Sequence, residues 1–246
     1  MTDLAPHSDL DRIIAPEIRG DRFSRTIARV AAVEGLRHIL EIGSSSGGGS
    51  TRAFVEGALE NPSRPILHCL EVSAARFQAL RARYSDYDFV HCHNISSVPL
   101  AAFPDEHEIR TFYRSVRSRL RRTPLPEVLR WLRQDREYLR AHDLSEWGIR
   151  RIKERYAIER FDAVLIDGSE FTGPSELDEV YGARFLLLDD IRTYKNHGNF
   201  LRLMADPSYR LLRKSRWRRN GFAVFEQLPG ATDPDVDTAG AGRPSP

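Results

Sequence analysis

One stretch restricts this chain more than any other. Residues 36–42 form an apolar run that carries a single acid, Glu41, and opens into a bend made only of glycine and serine, Gly43-Ser44-Ser45-Ser46-Gly47-Gly48-Gly49. Ser50 and Thr51 come next, and apolar residues then recur at helical spacing through Leu59. That order reads as strand, tight turn and helix. Glycine in such a turn lets a ligand approach the backbone where a Cβ would clash, and Ser50 or Thr51 can cap the first free N–H groups of the helix. The glycines match neither G-x-G-x-x-G nor G-x-x-x-x-G-K-[ST], so both phosphate-centred readings weaken. An ordinary loop between strand and helix stays open as the bland alternative.

A chain of 246 residues that is 41% hydrophobic suits one α/β domain, with room for an insertion. It has no apolar run long enough to span a membrane and no secretory leader at its start, which reads as a cytoplasmic protein. Cys69 and Cys92 lie in apolar strand-like runs without a C-x-x-C, as buried thiols do. A net charge of +2 does not by itself call for a nucleic-acid partner.

Residues 1–20 carry little periodicity and read as a loosely held arm, followed by an amphipathic helix over 22–33. A second buried strand over 66–71 ends in Glu71, a helix spans 74–84 and a strand spans 89–93, completing a β-α-β-α-β half. A carboxylate at the end of the second strand can accept hydrogen bonds from ribose hydroxyls, and Glu71 takes that role in this reading; a surface glutamate opening the next helix is the alternative. His91 and His93 share a face of their strand; a metal pair is conceivable, but no third ligand stands nearby in sequence.

Between about 100 and 160 the chain turns rich in Arg, Leu and Trp, with helical stretches at 106–121, 127–141 and 146–156. This exceeds an ordinary crossover and reads as a helical insertion capping the site. Its arginines read as a solvated basic face, with an anionic substrate, an acidic partner or a membrane surface as alternatives. Two further strands end in acids, one at Asp167 and the next at Asp189 and Asp190. Open α/β sheets bind ligands at the carboxyl ends of their strands, so these three carboxylates should converge beside the glycine turn. Such a trio repels itself unless protons or a cation neutralise it, and a hard divalent ion, magnesium first, is the natural partner. A helix over 198–205 and strands over 209–214 and 221–226 close the fold, and the tail 229–246 reads as disordered.

Glu41-Ile42-Gly43 through Gly49 resembles motif I of the class I S-adenosylmethionine-dependent methyltransferases, with Ser45 where many members have a second glycine. Asp167, Asp189 and Asp190 resemble the metal site of catechol O-methyltransferase-like enzymes, and closer still of macrocin O-methyltransferase-like and cephalosporin hydroxylase-like members. The resemblance covers about 36–99 and 160–226. It implies a mostly parallel, doubly wound, seven-stranded Rossmann-like sheet with a helical insertion, within a methyltransferase domain over 21–228. It also implies S-adenosylmethionine held by Glu41, Gly43, Ser44, Ser45, Gly47, Glu71, Asn94 and Asp167, with Mg2+ or another divalent cation on Asp167, Asp189 and Asp190. Where those families place a Lys or His base, this chain has Glu170; Asp167, Glu170 and Lys195 are therefore the catalytic candidates, and His197 is a further one.

The activity so implied is methyl transfer to a hydroxyl of a small molecule or saccharide, with no membrane span and with homo-oligomerisation left open. Two other readings stay alive. One is a nucleoside-binding protein without catalysis; the other is a glycan or nucleic-acid binding module that uses the basic insertion.

Overall fold

The structure, a computed structural model, describes residues 9–216 and 219–230. Its centre is a seven-stranded sheet: β1 (His38–Ile42), β2 (Ile66–Leu70), β3 (Val90–His93), β4 (Ala163–Ile166), β5 (Phe185–Asp189), β6 (Tyr209–Ser215) and β7 (Phe222–Gln227), in the order β3-β2-β1-β4-β5-β7-β6. β1 to β5 are parallel to one another; β7 runs antiparallel to both β5 and β6. The order of successive strands reverses between β1 and β4, and a cavity lies at their carboxyl ends.

Strands buried on both faces read as near-continuous apolar runs, and β4 is apolar throughout. Along β4, Val164 and Ile166 point into one core while Ala163 and Leu165 point into the other. The second core is closed by α1 (Arg22–Ala31), α2 (Ser50–Glu60) and α3 (Ala74–Arg83), through Phe23, Ile27, Phe54 and Leu80. The first is closed by α4 (Glu106–Ser115), α5 (Leu125–Ala141), α6 (Gly148–Tyr156), α7 (Gly173–Val180) and α8 (Tyr194–Ala205), through Ile109, Val128, Leu132, Ile149, Leu177 and Phe200. Asp162 ties β4 to β1 by accepting the N–H groups of Arg37 and His38, both at 2.8 Å.

The sheet has the form the sequence implies, and several local expectations change. The helix expected over 106–121 stops at Ser115; Val116 is extended, and a 3-10 turn follows at Arg119–Arg122. The cause is distant in sequence, since the Arg119 N–H bonds the carbonyl of Arg192 at 2.7 Å. Helix α7 fills the crossover between β4 and β5, where no helix was foreseen, and α8 begins at Tyr194 rather than at 198. Neither Ser50 nor Thr51 caps α2: the N-cap is Gly49 without a side-chain bond, and the Thr51 hydroxyl turns instead to Glu41.

Residues 9–20, expected to be loose, are seated on the domain. Ser73 and Tyr138 both donate to the Asp11 carboxylate, at 2.9 and 2.8 Å, Arg76 donates to the Arg12 carbonyl, and Ile18 is buried. Residues 1–8 and most of the expected tail, 231–246, lie outside the described residues. Among the described residues no helix is long and apolar enough to cross a membrane. Among the described residues, His91 and His93 gather no metal ligand set. His38, His68 and His93 instead form a chain of ring-nitrogen contacts at 3.3 and 3.5 Å across three strands, and burial pushes His68 down to about 3 and His93 to about 4. Cys69 is buried, Cys92 is half-buried, and both are free thiols.

Candidate active site

At the carboxyl ends of β1, β2, β4 and β5 lies a cavity of about 310 Å³, near the lower end of the ~300–1,000 Å³ usual for small-molecule sites. Its floor is the glycine turn. Gly43 has φ +87°, and a Cβ there would lie 2.2 Å from the Asp167 carbonyl oxygen. Only glycine lets the end of β1 close against the end of β4. The Gly43 and Ser44 N–H groups both bond the Leu70 carbonyl, which pins the turn to β2. Ser45 then adopts a left-handed φ of 50° and gives its N–H to Glu71 Oε2 at 2.7 Å. Gly48 and Gly49 form the next part of the wall, with Pro16 of the N-terminal segment lying against them.

Glu71 lines the cavity where β2 ends. Its Oε1 accepts from Ser73 N at 2.8 Å while Oε2 accepts from Ser45 N, so each oxygen keeps a lone pair for a further donor. Burial raises this carboxyl above the usual range, against the pull of those two backbone N–H groups.

Three of the residues expected to touch a nucleoside stand back from the cavity. Glu41 is fully buried beneath the turn and accepts from the Thr51 hydroxyl at 2.7 Å, bracing the turn from below; burial raises its carboxyl. Gly47 packs on Tyr84, whose hydroxyl donates to the Gly47 carbonyl at 2.6 Å. Asn94 spends its amide on the carbonyls of Glu71 and Val72, at 2.8 and 2.9 Å, and so fixes the strand end that carries Glu71. Gly43, Ser44, Ser45, Glu71 and Asp167 do line the cavity.

The acidic trio converges. Asp167, Asp189 and Asp190 each bring a carboxylate oxygen to within 4.8 Å of the others. Asp190 holds a left-handed φ of 54°, a conformation an aspartate tolerates better than most side chains. Two cations of the chain itself meet these acids. The Lys195 ammonium, whose residue is 6% exposed, lies 2.9 Å from Asp167 Oδ1 and 3.1 Å from Asp190 Oδ2. Arg219 reaches Asp189 Oδ1 at 3.3 Å with one nitrogen; with the other it bonds Asp21 Oδ2 and the Glu17 carbonyl, at 3.0 and 2.9 Å. Burial alone would lower the lysine, but Asp167, Asp190, Glu170 and Asp189 outweigh it and raise it well above its ordinary value. Asp190 is pushed up by burial and pulled down further by Lys195, so it ends below the carboxylate range. Burial takes Asp167 up to about 6 against the pull of Lys195, and it takes Asp189 well above its ordinary value, with Asp167 and Asp190 adding to the rise.

Glu170 does not line this cavity; it borders a shallower groove beside it, with Trp131, Gln134 and Asp135. Its Oε1 accepts the N–H groups of Tyr194 and Lys195, at 2.8 and 3.3 Å, and burial pushes its carboxyl to about 7. It therefore caps α8, whose own N-cap, Thr193, turns its hydroxyl to the Asp190 carbonyl and makes no side-chain cap bond to the helix. His197 is not among the cavity-lining residues.

Sequence reasoning passed over Asp135, Ser169, Arg76 and Tyr138, all in the cavity wall. Asp135 accepts from the Ser169 hydroxyl, and burial pushes it up to about 6. Its position between Gln134 and Arg136 in an amphipathic, charge-rich helix carries no signal of this in sequence.

No family model matches the sequence, and no curated protein matches it. Solved structures do match. The O-methyltransferase from Bacillus cereus, determined in complex with SAH, superposes with a TM-score of 0.54 at 14% identity, covering 88% of this chain and 84% of that one. This chain has a methyltransferase fold. A methyltransferase from Geobacter sulfurreducens is similar over 86% of this chain and 81% of its own, at 12% identity and a TM-score of 0.49. The methyltransferase fold supplies the sheet, and the cavity described above lies at its crevice.

Proposed function

We propose that this protein is an S-adenosylmethionine-dependent O-methyltransferase acting on a hydroxyl of a small molecule, with a saccharide or polyol as the acceptor class the resemblance implies. The observation that carries this reading is the pairing of a Cβ-free turn with Glu71 in one cavity wall. A nucleoside needs backbone it can approach closely and a carboxylate for vicinal hydroxyls; Glu71 has a spare lone pair on each oxygen. S-adenosylmethionine would supply an electrophilic methyl group on a sulfonium sulfur, and the anionic trio would favour that positive charge.

The protein's part is to align donor and acceptor and to take the hydroxyl proton as oxygen attacks the methyl carbon and the carbon–sulfur bond breaks. Lys195 is held as an ammonium and has no lone pair to accept that proton. Glu170 is committed to α8 and lies outside the cavity. Asp167 lines the cavity, is raised to about 6, and is the carboxylate assigned to receive the proton.

In a metal-assisted form of the reaction, magnesium or another divalent ion on Asp167, Asp189 and Asp190 would acidify the hydroxyl directly. The side chains do not fit that form. Two of the three carboxylates already pair with Lys195 and the third with Arg219. The metal-free form is therefore adopted.

Calorimetric titration with S-adenosylmethionine and S-adenosylhomocysteine tests the reading. One site should appear for each, and Glu71→Ala should weaken both about tenfold to a hundredfold, roughly 1.4–2.8 kcal/mol. No heat from either ligand with the folded wild type would remove the proposal.

A further inference from the structure

We propose that Lys195, backed by Arg219, takes the place of a divalent ion: the carboxylates of Asp167, Asp189 and Asp190 form the seat of an internal ammonium and do not bind metal. The part concerning the acceptor oxygen rests on the methyltransferase reading; the part concerning metal does not.

Asp167, Asp189 and Asp190 look like a ligand set, since their oxygens cluster within 4.8 Å. What occupies their charge is visible in the contacts. Lys195 Nζ touches two of the acids at 2.9 and 3.1 Å, and Arg219 touches the third. A divalent ion takes oxygens at about 2.1 Å if it is Mg2+, so an ion on either Lys195-bound oxygen would stand within about 5 Å of a buried ammonium. Like charge against like in a poorly solvated pocket is costly, and neither cation has an easy retreat. Lys195 sits in the first turn of α8, and that turn is fixed from two sides: Glu170 accepts the Tyr194 and Lys195 N–H groups, and Asn196 donates to the carbonyls of Ile166 and Asp189. Arg219 is likewise bound to Asp21 and to the Glu17 carbonyl.

With both cations in place, the three aspartates and Asp21, which shares Arg219, outnumber the two positive groups, so the site keeps a negative balance to complement a sulfonium donor. An ammonium has three N–H donors, and two of Lys195's go to Asp167 and Asp190. The third is available to an oxygen entering the cavity that Lys195 lines, and in the methyltransferase reading that oxygen is the acceptor hydroxyl. The lysine so placed is a positioning cation: it orients the oxygen and holds Asp167 in reach, without itself exchanging a proton.

The test reads metal directly, without donor or acceptor. Mn2+ is titrated into the full chain and followed by electron paramagnetic resonance, on wild type, Lys195→Gln, Lys195→Arg and Asp189→Asn. Wild type and Lys195→Arg should bind Mn2+ no tighter than about 1 mM, the range of weak divalent sites. Lys195→Gln, which frees the carboxylates, should gain at least about tenfold in Mn2+ affinity, with a melting temperature that rises as Mn2+ is added. One tight Mn2+ site in the wild type, lost in Asp189→Asn, would overturn the proposal whatever Lys195→Gln does. A folded Lys195→Gln that gains no affinity would overturn it as well. If Lys195→Gln does not fold, the wild type and Lys195→Arg decide. Donor binding measured on the same samples reports on the methyltransferase reading separately, so the two failures are distinguishable.

Discussion

At the scale of single residues, the site is held by a few positions where backbone geometry and burial leave little choice. Gly43 is one: its φ of +87° and the 2.2 Å approach a Cβ would make to the Asp167 carbonyl forbid any side chain without moving β1 away from β4. Gly43→Ala should cost at least about 3 kcal/mol in urea unfolding. An unchanged midpoint would mean that the turn does not close as described. Asp135 gives a second handle, through pH. Its folded carboxyl is raised by burial to about 6 from an ordinary 3.8, so the folded chain holds this proton more tightly than the unfolded one. Stability from this group is therefore lost as pH rises from about 4 to about 6, by on the order of 3 kcal/mol. Asp135→Asn removes that loss, so the variant should gain on the wild type between pH 4 and pH 7 in paired urea titrations; a pH-independent difference would contradict it. Glu71 and the Asp167, Asp189 and Asp190 trio were legible in sequence because each ends an apolar strand. Glu41 and Asn94 also sit at strand ends, and Gly47 in the turn after β1, yet they act one layer back, on Thr51, the Glu71 strand end and Tyr84. Sequence position shows which strand end a residue occupies, but not whether its side chain faces the crevice or supports it.

At the scale of elements, the strands were readable for a physical reason: β4 and β5 are buried on both faces and so read as near-continuous apolar runs. Helix ends were less so, because long-range bonds set them. The bond from Arg119 to the Arg192 carbonyl takes residues 116–122 out of α4's helix, and no local pattern announces it. Helix α8 is the element with most consequence, since it delivers Lys195. Its first N–H groups find their acceptor in Glu170, 24 residues earlier than Tyr194, and Glu170→Ala should cost about 1 kcal/mol in urea unfolding. The same variant should leave affinity for S-adenosylhomocysteine within about twofold, because Glu170 lies outside the main cavity. A large loss of affinity with no loss of stability would return Glu170 to the catalytic role that the sequence first offered it.

At the scale of the whole molecule, two apolar cores clamp the sheet and leave its carboxyl edge to polar chemistry. The N-terminal segment completes that edge: Leu10, Ile14, Pro16 and Ile18 line the cavity, and Asp11 is held by Ser73 and Tyr138. This closure was not legible, since residues 9–20 lack periodicity and their partners are spread from α3 to the loop that carries Arg219. The account's central claim is that this edge receives an adenosyl donor. A crystal structure of the chain grown with S-adenosylhomocysteine tests it most directly. The account predicts the nucleoside on the glycine turn with its ribose hydroxyls on the Glu71 carboxylate; a ligand bound elsewhere, or a cavity that stays closed at saturating ligand, would contradict it.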